Sequence, residues 1–212
     1  MNPQAADVVQ HLERLAARTA RARPTLETAR LRVRPYRLSD AAALQRLAGD
    51  RRVAATTANI PHPYPDGAAE QWIGGHDAQW TAGTMFSCAI VTRADGEFVG
   101  GVGLVLDRAH ARAELGYWIA VPAWGQGYAT EAAMAVCDFG FTELALSRIE
   151  ARYLATNGAS GAVMQKLGMQ QEGVLRQHAV KWDERHDLVI CGVLANEWKH
   201  AGRPFVLVED AA

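Results

Sequence analysis

The chain has 212 residues, 49% of them hydrophobic and 21% charged, which is enough for one well-buried core and ordinary for a single soluble domain. Its 22 basic and 23 acidic residues leave a net charge of −1, so no global field draws in nucleic acid or anionic lipid, and any basic patch must be local. Cys88, Cys137 and Cys191 are scattered, with no Cys-x-x-Cys spacing and no neighbouring His cluster, which argues against a disulfide framework and a metal site and fits a reducing cytoplasm.

In chain order, residues 3 to 22 read as one helix, with Val8, Leu12 and Leu15 on one side and Arg14, Arg18 and Arg21 elsewhere, stopped by Pro24. Residues 1–24 are therefore set apart as a helical extension that packs on the domain, sits at a subunit contact or moves freely. Its arginines read as a solvated face. Leu31-Arg-Val-Arg-Pro35 alternates apolar and charged residues as an exposed or edge strand does, and Ser39-Asp40 then caps a helix carrying Leu44 and Leu47. Asn59 to Asp66 holds Pro61, Pro63 and Pro65 and reads as a loop, followed by a helix with Trp72, Ile73 and Trp80.

Met85 to Thr92 and Phe98 to Leu106 form a predicted hairpin turning at Ala94-Asp95-Gly96. Gly100, Gly101 and Gly103 lie inside its second strand with no helix after them, so a bulge or close packing explains them better than phosphate binding. Next come a strand over Ala113 to Val121, a helix from Gly127 to about Leu144, a strand at Arg148 to Leu154 and a helix at Ser160 to Leu167. Strands near Gln170 to Gln177 and Leu188 to Ala195 complete the order, and the tail after Trp198 is expected to fray. Cys137 and Cys191 fall within apolar helix and strand patterns and read as small core residues. No run approaches the ~18 apolar residues of a membrane span, and the N-terminus lacks the apolar core of a signal peptide. This order predicts a mixed α/β (α+β) fold, one sheet covered by helices.

The stretch from Ala113 to Ala132 is the most informative, because it runs an apolar strand into a glycine turn and then a helix. Gly125 and Gly127 remove the β-carbons that would keep a ligand off the backbone, and the unpaired N–H groups of the following helix point at the same place. A phosphate suits it, since the helix dipole adds roughly half a positive charge there. The Walker pattern is absent, because Gly127 is followed by Tyr128, Ala129 and Thr130 rather than Lys-Ser or Lys-Thr. The dinucleotide fingerprint fits little better, with Thr130 in place of its third glycine.

Downstream stand a second strand, Ile149 to Ala155, then Asn157-Gly-Ala-Ser160, then a helix ending in Lys166-Leu-Gly168-Met169. Together these residues resemble the GNAT superfamily of acyl-CoA N-acyltransferases, in its RimJ/RimL-like branch named for ribosomal-protein N-terminal acetyltransferases. The resemblance covers roughly Thr28 to Trp198 and places the domain at 25–200, with 201–212 as a C-terminal tail. Gly127 and Ala129 fit the family's loop signature, while Trp124 stands at its first position in a Trp-Gly-Gln-Gly-Tyr-Ala-Thr-Glu-Ala form common in this branch.

The resemblance implies a mostly antiparallel sheet of about seven strands, splayed between the fourth and fifth, with about four flanking helices. It implies acetyl-CoA as acyl donor, held by Trp124, Gly125, Gln126, Gly127, Tyr128, Ala129 and Thr130, by the backbone of Ile119 on the splayed strand, and by Asn157 and Ser160. Pro122, which lacks a donor, is consistent with a break in pairing just after Ile119. The expected acceptor is a primary amine, a protein N-terminus or a small-molecule amine, attacked directly in a ternary complex. No membrane is expected as partner and there is no strong nucleic-acid signal, although docking to RNA or the ribosome through the N-terminal arginines stays in view, as does a homodimer.

Glu114 is the leading general base, with His178, or His186 beside Asp187, as substitutes, because the position of a downstream glutamate suggested in this branch is Ala179 here. The tyrosine that many members use as acid is replaced by Met164, which leaves Ser160 as the candidate acid. Two other readings stay in view, a non-catalytic acyl-CoA-binding regulatory module and a transferase using another donor such as succinyl-CoA.

Overall fold

The computed structural model describes residues 13, 15–199 and 205–208. The predicted helix over residues 3 to 22 lies largely outside them; its described part is helical at 15–19 (α1). Nine strands follow among the described residues: β1 (Thr25–Glu27), β2 (Leu31–Pro35), β3 (Met85–Thr92), β4 (Phe98–Asp107), β5 (Arg112–Ile119), β6 (Arg148–Leu154), β7 (Gln170–Lys181), β8 (Glu184–Leu194) and β9 (Val206–Val208). They form one sheet in the order β7-β8-β6-β5-β4-β3-β2-β1-β9, antiparallel throughout except between β5 and β6. The helices are α2 (Ala41–Ala48), α3 (Arg51–Thr56), α4 (Ala68–Gly74), α5 (His76–Thr81), α6 (Tyr128–Thr142) and α7 (Gly158–Lys166).

The mixed class is as expected, but the helix expected over Trp72 to Trp80 is broken in two, and a short helix that was not expected, α3, follows α2. The chain turns at Gly49-Asp50, where Asp50 accepts from the Arg52 N–H to start α3, and at Gly74-Gly75 before α5. Asp40 does not cap α2 through its side chain. Its buried carboxylate takes Arg34 in a two-pronged pair at 2.7 and 2.8 Å and accepts from the Arg37 N–H.

Three further expectations are corrected. The alternating β2 is an interior strand, with Leu31 and Val33 buried between β1 and β3, because the short β1 and β9 take the edge. The tail does not fray at residues 205–208: Val206–Val208 pairs with β1, and Phe205 lies against Phe139 of α6. The last two strands extend well past their predicted ends into a hairpin turning at Trp182 and Asp183, both at positive φ.

The core lies between the sheet and α6. That helix is buried along much of its length, and Leu15 and Phe205 are buried in the same core, Phe205 against Phe139. Burying a leucine as fully as Leu15 contributes about 1.5–3 kcal/mol, and the Trp80 indole donates to the Arg21 carbonyl at 2.7 Å, so the described part of this extension packs on the domain. Asp138, also buried on α6, is satisfied by the Trp198 indole at 3.0 Å. All three cysteines are buried, and among the described residues no helix is long and apolar enough to cross a membrane.

On the other face of the sheet, α2, α4 and α5 hold a second cluster built on Tyr36, Trp72, His76 and Phe98. Gly101 is required here, since a β-carbon would collide with the Tyr36 hydroxyl and come within 2.7 Å of the Trp118 indole nitrogen. His76 is 2% exposed, and neither ring nitrogen has a protein partner. Burial, reinforced by Arg23 and opposed by Asp77, pushes its pKa down from 6.5 to about 4. Because the folded value is depressed, this stability is present above 6.5 and lost as the pH falls toward 4, by up to about 3 kcal/mol. His76→Leu should therefore flatten the difference between urea unfolding midpoints at about pH 7 and about pH 4.5; an unchanged difference would remove His76 as its source.

Candidate active site

The parallel pairing of β5 with β6 runs only from Arg112 and Arg148 to Leu115 and Ala151. Beyond it β5 continues along β4 while β6 continues along β8, so the two strands part. The Ala120 N–H donates to the Val99 carbonyl at 2.8 Å, and by the alternation of an antiparallel strand the amides of Tyr117 and Ile119 face the opening. The Ile119 carbonyl is taken by the Trp124 indole N–H at 2.7 Å, which leaves its N–H as the group turned to the gap. A short 3-10 turn, Val121–Ala123, carries Pro122 and ends the ladder. The gap opens into a cavity of about 940 Å³.

Gly125 and Gly127 adopt φ of 75° and 80°, a left-handed conformation that side chains resist. Nothing lies within 4 Å of where a Gly125 β-carbon would stand. The first bond inside α6 runs from the Glu131 N–H to the Gly127 carbonyl at 3.1 Å, so the N–H groups of Tyr128, Ala129 and Thr130 precede it and point out of the helix end. Trp124, Gly125, Gly127, Tyr128, Ala129 and Thr130 all line the cavity. Gln126 does not. Its side-chain amide turns back to the Pro122 carbonyl at 3.4 Å.

Sequence reasoning missed the clamp behind this loop. Arg30 donates to the Gln126 carbonyl at 3.0 Å and to Glu131 at 2.7 Å, and its guanidinium lies 4.9 Å from the Tyr128 ring centre. Glu131 also accepts from the Arg30 N–H at 2.9 Å and from the Thr28 hydroxyl at 2.6 Å. Burial alone would raise the Glu131 pKa, but the Thr28 and Arg30 donors hold it below the usual carboxylate value. The turn between β1 and β2 thus fixes both the loop and the first turn of α6, where a negative side chain is favoured by the helix dipole.

Asn157 caps α7, accepting from the Ser160 N–H at 3.1 Å, while its amide nitrogen donates to the Thr56 carbonyl at 3.0 Å. Both ends of that side chain are thereby engaged within the protein. The Lys181 ammonium donates to the Ile60 carbonyl at 2.6 Å and His62 bonds the Gly49 carbonyl, so the proline-rich loop is tied down across the cavity mouth. Burial lowers the Lys181 pKa.

Ser160 faces a partner that sequence reasoning also missed. The Tyr117 hydroxyl, on the splayed strand, lies 2.7 Å from the Ser160 hydroxyl and 3.2 Å from its carbonyl. Burial pushes the Tyr117 pKa up to about 12, against a smaller opposing effect of the Ser160 hydrogen bond, so the phenol stays protonated at neutral pH. Met164, at the position of the familiar tyrosine, is buried.

Glu114 and Tyr117 project to opposite faces of β5, because their positions differ by an odd number of residues. Glu114 lies on the cavity side, its carboxylate 3.6 Å from Arg152, which also pairs with Glu150 at 3.1 Å. His178 lines the same cavity. His186 does not, and Asp187 accepts from the Gln177 N–H at 2.7 Å, fixing the irregular stretch of β7 between Leu175 and Ala179. Of the two histidine alternatives, only His178 is therefore placed at the site. No three His, Cys, Asp or Glu side chains gather as a metal-ligand set among the described residues.

Comparison with known proteins agrees with this geometry. A family described as "Acetyltransferase (GNAT) domain" matches residues 30–170. The chain is 32% identical over 176 residues to "Uncharacterized N-acetyltransferase p20" of Bacillus licheniformis, covering 82% of this chain and 98% of the relative. It is 35% identical over 106 residues to "Putative ribosomal N-acetyltransferase YdaF" of Bacillus subtilis (strain 168), covering 50% of this chain and 58% of that protein. Among solved structures, "Mycobacterium smegmatis RimJ in complex with CoA-disulfide" superimposes with a TM-score of 0.73 at 28% identity, covering 84% of this chain and 93% of that one.

Proposed function

The chain belongs to the acetyltransferase (GNAT) domain family, and on that premise we propose which of its residues hold acetyl-CoA and which serve the amine. It is an N-acetyltransferase, moving an acetyl group from acetyl-CoA to a primary amine. The single observation that carries the assignment of residues is the parting of β5 from β6 beside the bare N-terminus of α6.

The residues present fit coenzyme A. The open space over Gly125 and the outward N–H groups of Tyr128, Ala129 and Thr130 suit its pyrophosphate, and the unpaired N–H of Ile119, next along the strand from that loop, suits an amide carbonyl of its pantetheine arm. Bound there, it supplies an acyl thioester. Arg30 acts from behind as a positioning residue that keeps the loop in its left-handed shape.

In the transfer a C–N bond forms between amine and acetyl carbonyl, the C–S bond breaks, the amine loses a proton and the departing sulfur gains one. Glu114 stands on the face that the amine approaches and accepts its proton, directly or through water. The Tyr117 N–H, the farther of the two free amides from the phosphate loop, polarises the thioester carbonyl. On the opposite face of β5 the Ser160 and Tyr117 hydroxyls supply the proton to sulfur. Donor and acceptor of protons thus stand on either side of one strand, which suits direct attack without a covalent enzyme intermediate. For the acceptor we favour an amino terminus, one of the two amine classes that the resemblance to the RimJ/RimL-like branch implies.

The test is release of free thiol from acetyl-CoA and from succinyl-CoA with a panel of N-terminal peptides and small amines. Thiol release with stoichiometric amide is expected for acetyl-CoA and at least one amine. Tight binding of acetyl-CoA with no release for any amine would instead mark a non-catalytic acyl-CoA-binding module.

A further inference from the structure

The cavity has a second feature that acetyl-CoA binding does not use. Gly103 of β4 and Gly116 of β5 are directly paired and neither puts a side chain on the floor of the sheet, Gly103 because the backbone of β3 at Phe86 lies where its β-carbon would stand. Gly116 is exposed although it lies in a central strand of the sheet, and a β-carbon there would meet nothing within 4 Å. A central strand position with open space above it is unusual, since Gly in a strand loses packing and costs stability.

On one side of this floor stand the rings of Tyr36, Trp72 and Trp118, which line the cavity and are braced by Phe98 and His76. Behind that wall His76 is buried against the Trp72 and Tyr36 rings. On the other side, two residues from Gly116 along β5, stands Glu114, the sole carboxylate among the cavity-lining residues described. That carboxylate is already shared with Arg152.

We propose that this is the acceptor subsite and that it takes a primary monoamine whose amine-bearing carbon carries a compact or flat apolar group, seated on the Gly103–Gly116 floor against the aromatic wall with its nitrogen toward Glu114. A polyamine is disfavoured by charge: several ammonium groups would face one carboxylate that Arg152 already engages, with Lys166 elsewhere in the same cavity. The ring faces suit an apolar or aromatic body and add attraction for a nearby ammonium. The same chemistry is offered by the N-terminal residue of a peptide and by a free arylalkylamine. The inference rests on the acetyltransferase reading above, and its test separates the two.

Binding is read without turnover, from tryptophan fluorescence of the protein loaded with free coenzyme A, where Trp72 and Trp118 report on the subsite. Phenylethylamine, a tripeptide with N-terminal phenylalanine and spermidine are titrated against the parent and Gly116→Val. Valine suits a strand and has space here, so the fold should hold, which circular dichroism checks. The parent should bind the tripeptide or phenylethylamine at least about 10-fold more tightly than spermidine, and Gly116→Val should weaken that binding at least about 10-fold with coenzyme A affinity unchanged. Whichever of the two apolar amines binds better identifies the source. Equal binding of spermidine, or undiminished binding by Gly116→Val, overturns the proposal. Apolar amines that bind as stated yet release no thiol from acetyl-CoA would leave the subsite standing and overturn the transfer reading instead.

Discussion

Gly127→Glu should lose acetyl-CoA binding by about 100-fold or more, which isothermal calorimetry would register as the near disappearance of the heat of association. Three effects act together. Gly127 sits at φ 80°, so any side chain with a β-carbon strains the backbone by roughly 1–2 kcal/mol unless it tolerates the left-handed region. A β-carbon here would stand 3.5 Å from the Arg30 guanidinium, where a glutamate competes with Glu131 and with the Gln126 carbonyl for the same donor. The added negative charge also lies at the helix end that is to receive a pyrophosphate, and repulsion of two charges a few ångströms apart at a partly exposed site is of the order of 1–3 kcal/mol.

Gly127→Asn separates strain from charge, since asparagine visits the left-handed region and adds no charge. It should bind within about 10-fold of the parent. If the glutamate variant folds, as judged by circular dichroism and thermal midpoint, and still binds acetyl-CoA as the parent does, the helix end is not where the pyrophosphate sits.

What the chain disclosed in advance was mainly what is local. A positive-φ glycine pair followed by a helix is written in adjacent residues, and so is the break at Pro122, because proline and glycine act on their own backbone. The strands β2 to β6 were legible from alternation and turn residues for the same reason. The Arg30 clamp was not legible, because its two halves are 101 residues apart and neither Thr28 nor Glu131 carries a pattern that names the other. The Tyr117–Ser160 pair, 43 residues apart, was hidden likewise, and Tyr117 read as one more apolar strand residue.

Short or irregular strands were lost for a different reason. Three residues, as in β1 and β9, are too few to show a period of two. In β7 the left-handed Gln177 shifts the register between Leu175 and Ala179, so alternation fails where the strand in fact continues. The hairpin tip at Trp182 and Asp183 lacks the glycine that usually marks such a turn. Function was more legible than these elements because the cofactor side depends on backbone geometry that glycine reveals. The acceptor side proposed above draws on side chains from β4, β5, α4 and the segment after β2, which no local pattern brings together.

Replacing either hydroxyl of the Tyr117–Ser160 pair should lower kcat by about 100-fold while KM for acetyl-CoA changes no more than a few-fold. The argument turns on protonation and on coupling. Tyr117 is pushed up to about 12, so near neutral pH it holds its proton and can pass hydrogen-bond donation on to Ser160, 2.7 Å away. Sulfur leaving as thiolate at a buried site costs far more than in water unless a donor is already in place, which is why the loss should appear in kcat rather than in binding.

If the two hydroxyls act as one relay, removing the second adds little once the first is gone. Tyr117→Phe combined with Ser160→Ala should then be no slower than the slower single variant, within a few-fold. Independent bracing of α7 against β5 gives another signature: losses that multiply, a lowered thermal midpoint and a raised KM for acetyl-CoA. Because Asn157 still caps α7 in both single variants, the helix should stay in place, and a donor acting on sulfur should be partly bypassed with a leaving thiol of lower pKa, whereas a structural defect would not respond. Additive losses with no response to the leaving group would remove the pair from the chemistry and leave it as packing.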